Sequence, residues 1–499
     1  MKNRLLSGLS RCAFRIAVGA VLSSVAACGG TGNGSGAIDG AIQSIQITPA
    51  NVEATIGQSL RLAATAVYSN GTRVDVTGQA RWTSSNDTVA TAASGGQVGT
   101  LSAGFTAIHA SLSGVDALAQ LTVAKSGGGL PSGYAYIASA DVDNRAVPGA
   151  VYQYSIGSDG SVAPLSVASV PAGVTPKAVV SDPSGRYVYV ANEGDATISQ
   201  YAVGADGGLV ALSPAVVSIA GPFQYAGYAV SIDPGGRFLY VVGSPRDPAG
   251  PSASITQYSI QNDGTLAPVA PYLNLSAFAS GSLAFDSSGQ YAYLPGETSA
   301  PGGLVSQFSV NSDGTLTPLT PATVAVTQGA TAVTIAPSGQ TAYVISTCID
   351  TACDGQIERY TIGVNGTLMP TGVATLTSAH VNPVEMVTDG SGSSVYLLAN
   401  AMGVDTNAGA VYQYAIDSTG ALVANTPASV GVASGAVAES TYGSNLYALS
   451  ANAIGFASGL PPGGHIDHYV IGSGGLLTAV STTTVAGSLP TSMTLVVAH

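Results

Sequence analysis

Apolar and polar residues alternate along this chain in short runs cut by Gly-containing turns, and no long window places apolar residues at a 3.6-residue period. That pattern predicts strands throughout. From Ala41 to Ala124 the runs break at Asn70-Gly71, Ser94-Gly95-Gly96 and Ser113-Gly114, the patterning of a small β-sandwich. Beyond a linker at 125–133 the chain repeats itself at intervals of roughly fifty residues. One Tyr recurs in an apolar strand at Tyr136, Tyr189, Tyr240, Tyr293, Tyr343, Tyr396 and Tyr447. A second aromatic row follows at Tyr154, Tyr201, Tyr258, Phe308, Tyr360, Tyr414 and Tyr469, preceded by Gln153, Gln200, Gln257, Gln307, Arg359, Gln413 and His468. Turns such as Asp182-Pro183-Ser184-Gly185 join a first strand to a second in each unit, and Asp159-Gly160, Asp263-Gly264, Asp313-Gly314 and Asn365-Gly366 join a third to a fourth. Four antiparallel strands in each of seven units make propeller blades, whose faces are buried only by stacking on neighbours. The first unit lacks its opening strand, and Pro490 to Val496 repeats that strand with no blade behind it. The chain therefore reads as all-β: a sandwich at 41–124, then a seven-bladed β-propeller at 134–499 closed by the C-terminal strand beside Ile137.

Composition agrees with this picture, since 64 Gly, 26 Pro and only 8% charged residues suit many short strands and tight turns. The formal charge is −13, without clustered Lys or Arg, which excludes nucleic acid as an expected partner. Residues 1–28 read as a leader: a basic stretch, then an apolar run from Ile16 to Ala27 too short to span a bilayer, then Cys28. Val25-Ala26-Ala27-Cys28 resembles the lipobox of bacterial lipoproteins. The resemblance implies a lipid on Cys28, a flexible tether at 29–40, and a place in the cell envelope, at an outer membrane facing the periplasm or the cell surface. The membrane is thus an expected partner, and the chain is expected to be a monomer. Cys12 leaves with the leader, so Cys348 and Cys353 are expected to form a disulfide across a loop between strands. A zinc site is the alternative, but two thiolates without nearby His supply half its ligands.

Two segments resemble known families. Ile47-Thr48-Pro49, Gly57, Tyr68-Ser69-Asn70-Gly71-Thr72, Asp75-Val76-Thr77, Trp82, Ser84-Ser85-Asn86, Val89-Ala90 and Gly104 fall in the order of the bacterial Ig-like group 2 domains. The resemblance implies a spacer that presents the next domain, with Trp82 as its main core filler and His109 structural. Pro176 to Asn192, followed by Ile198-Ser-Gln-Tyr201 and Asp206-Gly207, resembles the lactonase-type seven-bladed propellers of the 6-phosphogluconolactonase-like, YVTN-repeat kind. That family includes sugar-lactone hydrolases, muconate-lactonising enzymes and non-enzymes, so the resemblance fixes fold more than activity.

In the lactonase-type enzymes the chemistry is ascribed to His, Arg and Glu near the central opening, suited to polarising a lactone carbonyl and moving a proton. Candidates here are His380 and Glu385, with Arg145 or Arg246 from loops. Glu385 is the one acid in a row otherwise made of Ala178, Ala229, Ser282, Ala332, Ala436 and Ser492. Arg186 and Arg237 read as turn-flanking residues, and Arg359 and His468 as blade packing. His465 and His468 point to opposite faces of one strand; no metal site and no cofactor is expected. Joints between second and third strands are long and share one rim, where Asp141, Asp143, Asp247, Glu297, Asp350, Asp354 and Asp405 would face a protein or carbohydrate ligand. Two readings follow. One is a lipid-anchored binding or scaffold protein that presents a propeller on an Ig-like stalk; the other is a lactonase-like hydrolase working at the channel.

Overall fold

The computed structural model describes residues 40–55, 57–102, 104–124, 131–140, 147–219, 225–244, 253–269, 271–297, 302–347, 355–375, 381–401, 409–451, 463–485 and 489–498. The first domain is a sandwich. Ile42–Thr48, Ala63–Tyr68 and Arg73–Asp75 form one sheet, and Asn51–Thr55, Val115–Ala124, Gly104–Leu112 and Arg81–Ser84 form another, with a short third sheet from Ser59–Arg61, Gln97–Thr100 and Ala90–Ala93. Trp82 is buried among Leu62, Ala64, Val76 and Ile108, and its indole N–H donates to the Thr77 carbonyl at 2.9 Å. His109 faces Asp116 at 2.8 Å on the exposed side of the sheet.

The remaining sheets are seven, each of four strands in the order expected from the turns, with the outer strand of blade three and the inner strand of blade four each broken in two. Leu489–Val497 pairs antiparallel with Gly133–Ala140, Met493 opposite Ile137, so the C-terminal strand is the inner strand of blade one. Core clusters lie between blades: residues of consecutive sheets, such as Val151 with Val190 or Tyr343 with Val395, pack together. Burial on both faces explains why the second strands are continuous apolar runs around the repeated Tyr.

Each of those Tyr residues is a latch. The hydroxyls of Tyr136, Tyr189, Tyr240, Tyr293, Tyr343, Tyr396 and Tyr447 donate to the carbonyls of Gly207, Gly264, Gly314, Gly366, Gly420, Gly475 and Gly160, always in the next blade, at 2.7–2.9 Å. Gly207 shows why the hairpin needs glycine: its φ is +78°, and a Cβ there would meet the Tyr134 ring at 2.1 Å. The last bond, Tyr447 to Gly160, joins blade seven to blade one and closes the ring.

The Gln row is a second latch. Gln153, Gln200, Gln257, Gln307 and Gln413 accept the backbone amides of Leu209, Leu266, Leu316, Leu368 and Leu477, which open the outer strands of the next blades. Four of them also donate to a carbonyl fourteen residues ahead, as Gln200 does to Pro214. Arg359 substitutes by donating to the Thr419 carbonyl of blade six. His468 substitutes incompletely: it stacks on Tyr447 at 5.0 Å and bonds Asn445 at 2.8 Å, while its buried Nδ1 meets no partner among the described residues. His468→Gln is expected to restore both bonds, to the Val162 amide and the Thr482 carbonyl, and to stabilise the propeller by about 1–2 kcal/mol. Differential scanning calorimetry reads this as a higher midpoint; an unchanged or lower one refutes it.

Candidate functional site

The inner strands surround the axis, and in all seven only three charged side chains occur: Lys177, Glu385 and Glu439. Glu385 lies on Val381–Thr388 of blade six, opposite Leu398. The second strand of that blade ends at Ala401 opposite Val381, so Glu385 stands at mid-strand, four residues in from the end from which the long joint departs. Register places Ala178, Ala229, Ala332 and Ser492 at equivalent positions. In blade seven the equivalent is Ala438, opposite Leu449, and not Ala436, which pairs with Ser450. The correction has a local cause. Blade seven replaces the Asp-Pro-Ser-Gly turn by a two-residue hairpin, Gly443-Ser444, between the paired Tyr442 and Asn445, so counting back from Tyr447 overshoots by two.

That shift reveals a second acid, which spacing alone conceals. Glu439 occupies the position held by Val179, Val230, Val333, Met386 and Met493 in other blades, a row of apolar residues facing a neighbouring sheet. It is 3% exposed. The two carboxyls cross the seam between blades six and seven. Glu385 Oε2 reaches forward to accept the backbone N–H of Glu439 at 2.8 Å, and Glu439 Oε1 reaches back to accept the N–H of Leu398 at 3.1 Å. Oε2 of Glu439 is buried and has no hydrogen-bond partner among the described residues.

Burial sets their charge. Desolvation lifts the Glu385 carboxyl to about 7, offset only in part by the Glu439 amide. Glu439 is pushed well above the carboxylate range, first by desolvation and then by the neighbouring Glu385, against the amides of Leu398 and Val387. Both shifts run the same way, so the seam favours the protonated form of each carboxyl.

Two further buried acids escaped the sequence reading, Glu358 and Asp467, which sit two residues before the second aromatic row where Ser199, Thr256 and Ser306 stand elsewhere. Both hold loops. Glu358 accepts the Thr327 amide at 2.7 Å and the Tyr360 hydroxyl at 2.9 Å, and Asp467 accepts the Ala433 amide at 2.8 Å and the Thr482 hydroxyl at 2.6 Å. Arg186 and Arg237 flank turns and lie over the rings of Tyr187 and Phe238. His380, Arg145 and Arg246 lie outside the described residues, as do Cys28, Cys348, Cys353 and the rim acids Asp141, Asp143, Asp247, Asp350, Asp354 and Asp405. Of the rim set, Glu297 is described, at the end of the second strand of blade four. Among the described residues no group of three or more His, Cys, Asp or Glu could hold a metal ion, and no helix is long and apolar enough to cross a membrane.

The family profile of lactonases with a seven-bladed β-propeller matches residues 141–438, and that of the bacterial Ig-like domain, group 2, matches residues 41–123. Among solved structures, a periplasmic gluconolactonase of Pseudomonas aeruginosa superposes with a TM-score of 0.55 at 18% identity, over 74% of this chain and 100% of that one. A candidate 6-phosphogluconolactonase of Bacteroides fragilis gives 0.55 at 16% identity, over 73% and 98%. Likeness at such identities is one of fold. Ice-binding protein 1 of Shewanella frigidimarina is 39% identical over 72 residues, which are 14% of this chain and 8% of that protein, so the chain spans less than a tenth of that curated relative.

Proposed function

Because the chain belongs to the family of lactonases with a seven-bladed β-propeller, we propose that it hydrolyses a small sugar-type lactone at the mouth of the central channel, with Glu385 as the general base. One observation carries the reading: a carboxyl on an inner strand, partly buried, with its ionisation moved to about 7. A base at that value is half ionised at neutral pH and takes a proton effectively. In the proposed reaction Glu385 removes a proton from water as its oxygen bonds to the lactone carbonyl carbon. The ring C–O bond then breaks, and the departing alkoxide recovers that proton from Glu385, leaving the open hydroxy acid. Lys177, the sole cation of the inner strands, immediately precedes Ala178, the blade-two position equivalent to Glu385, and is the group we propose to take up charge on the carbonyl oxygen.

The test is hydrolysis of sugar δ- and γ-lactones followed by proton release, against spontaneous opening as control. Glu385→Gln is expected to lower kcat by roughly 10²-fold or more. Wild-type activity should climb with pH through about 7, because only the ionised carboxylate accepts a proton. Full activity in Glu385→Gln excludes this base.

A second reading, a non-catalytic binding or scaffold propeller, draws on a parallel within the ring. Ser492 accepts the Val179 amide at 3.3 Å from the position equivalent to Glu385, so capping an inner-strand amide is a role a side chain can fill there without chemistry. Failure of every lactone as substrate, together with capture of a protein or carbohydrate by the rim, favours that reading. In either case the chain is proposed to be held at the cell envelope through lipid on Cys28, the Ig-like domain acting as spacer.

A further inference from the structure

We infer that Glu439 is the positioning residue of this site, holding in place the inner-strand amide to which the Glu385 carboxylate is bonded. The inference rests on the reading of Glu385 as the base.

The geometry is reciprocal. The ladder of Val381–Thr388 slips between Pro383 and Glu385, and the amide of Leu398, the residue opposite Glu385, donates to the Glu439 side chain. Glu439 in turn presents its own amide to Glu385 Oε2. One residue thus grips the partner of Glu385 with its side chain and Glu385 itself with its backbone, across two blades. Thr441, two positions on, donates to the Thr388 carbonyl and repeats the crossing at the other end of the strand. Packing does not ask for an acid here, since Val, Met and Val fill the equivalent space in other blades. A buried carboxyl with one oxygen unpartnered is costly where an apolar side chain fits, and the grip on Leu398 is what it supplies in return.

The surroundings leave few other groups to set the ionisation of Glu385. No Lys, Arg or His contributes to either carboxyl among the described residues. Tyr396 and Tyr469 are close enough to feel Glu439, and both hydroxyls are committed to carbonyls, of Gly475 and Gly431. The Glu439 amide is the one interaction that favours the charged form of Glu385. Loosening it raises the carboxyl further.

The experiment is a titration of Glu385 by 13C NMR in the full chain labelled at glutamate Cδ, the signal assigned by its loss in Glu385→Gln. Glu439→Gln keeps an oxygen for the Leu398 amide and is expected to leave the Glu385 midpoint where it is in wild type. Glu439→Met removes the grip and is expected to raise the midpoint by about one unit, a tenfold change in proton affinity, with the rate profile on a hydrolysed lactone moving by the same amount. A midpoint in Glu439→Met equal to or below that of wild type overturns the inference, as does an equal shift in both variants. The NMR titration needs no substrate, so an inactive wild type would defeat the base reading while positioning is still decided.

Discussion

A chain ending at Ser488 is expected to lose the cooperative unfolding transition of the propeller. The strand Leu489–Val497 is paired along its whole length with Gly133–Ala140, and it places Val496 and Met493 in two separate inter-blade cores. Thr491 and Thr494 bond to Pro176 and Ser181 of blade two, and Met493 joins the core that holds Tyr447 and Leu449 of blade seven, so the same strand ties both sides of blade one. Two buried apolar side chains and a full ladder are together worth on the order of 10 kcal/mol. Domains are stable by roughly 5–15 kcal/mol, so the loss leaves little margin. The truncated chain also exposes a long strand edge, which invites association. Calorimetry should show a broad or absent transition, restored in part by a synthetic peptide of residues 489–499. A sharp transition at the wild-type midpoint would show that blade one closes without its inner strand.

The second large effect is a fall in stability as pH rises from 5 to 8. Both crossing carboxyls have folded-state values above the unfolded one, so in that window the native state holds more protons than the unfolded chain, and unfolding becomes easier as they leave. For Glu385, moving from 4.5 to about 7 corresponds to at most about 3 kcal/mol, complete once the pH exceeds the folded value. Glu439, shifted in the same direction, adds to the decline. Turn aspartates act with the opposite sign. Asp263, Asp313 and Asp417 are held below their ordinary values by bonds from Thr265, Thr315 and Thr419, and the stability they add is lost as pH falls below about 4. The midpoint should therefore peak near pH 5. Glu439→Met is expected to raise the midpoint at pH 8 more than at pH 5, and adding Glu385→Gln should remove the remaining slope. Thermal unfolding across pH 4–9 checks this, and an undiminished slope in the double variant refutes the assignment. Activity and stability then run in opposite directions through neutrality, because the carboxylate that accepts a proton is the form the fold disfavours.

Most of the ring was legible in the residues. The Tyr row and the hairpin glycine that receives it recur once per blade, and the Gln row in five of the seven, because each blade faces the same neighbour problem and mostly solves it with the same atoms. The closing strand was legible too, as a first strand without a blade. Glu385 stood out because an acid in a row of small residues breaks a pattern. Glu439 did not: a hairpin shorter by two residues moved it from the count, and the apolar row it interrupts could be recognised only by register.

Local periodicity, turn chemistry and side-chain size are properties of short stretches of chain, and they determined the all-β class, the seven blades and the closure. The carboxyl pair was decided by tertiary structure alone. Its two bonds join residues 54 and 41 positions apart, and its ionisation depends on how much water the stacked blades exclude from the seam. Desolvation belongs to the surroundings of a group, and no spacing along the chain records it.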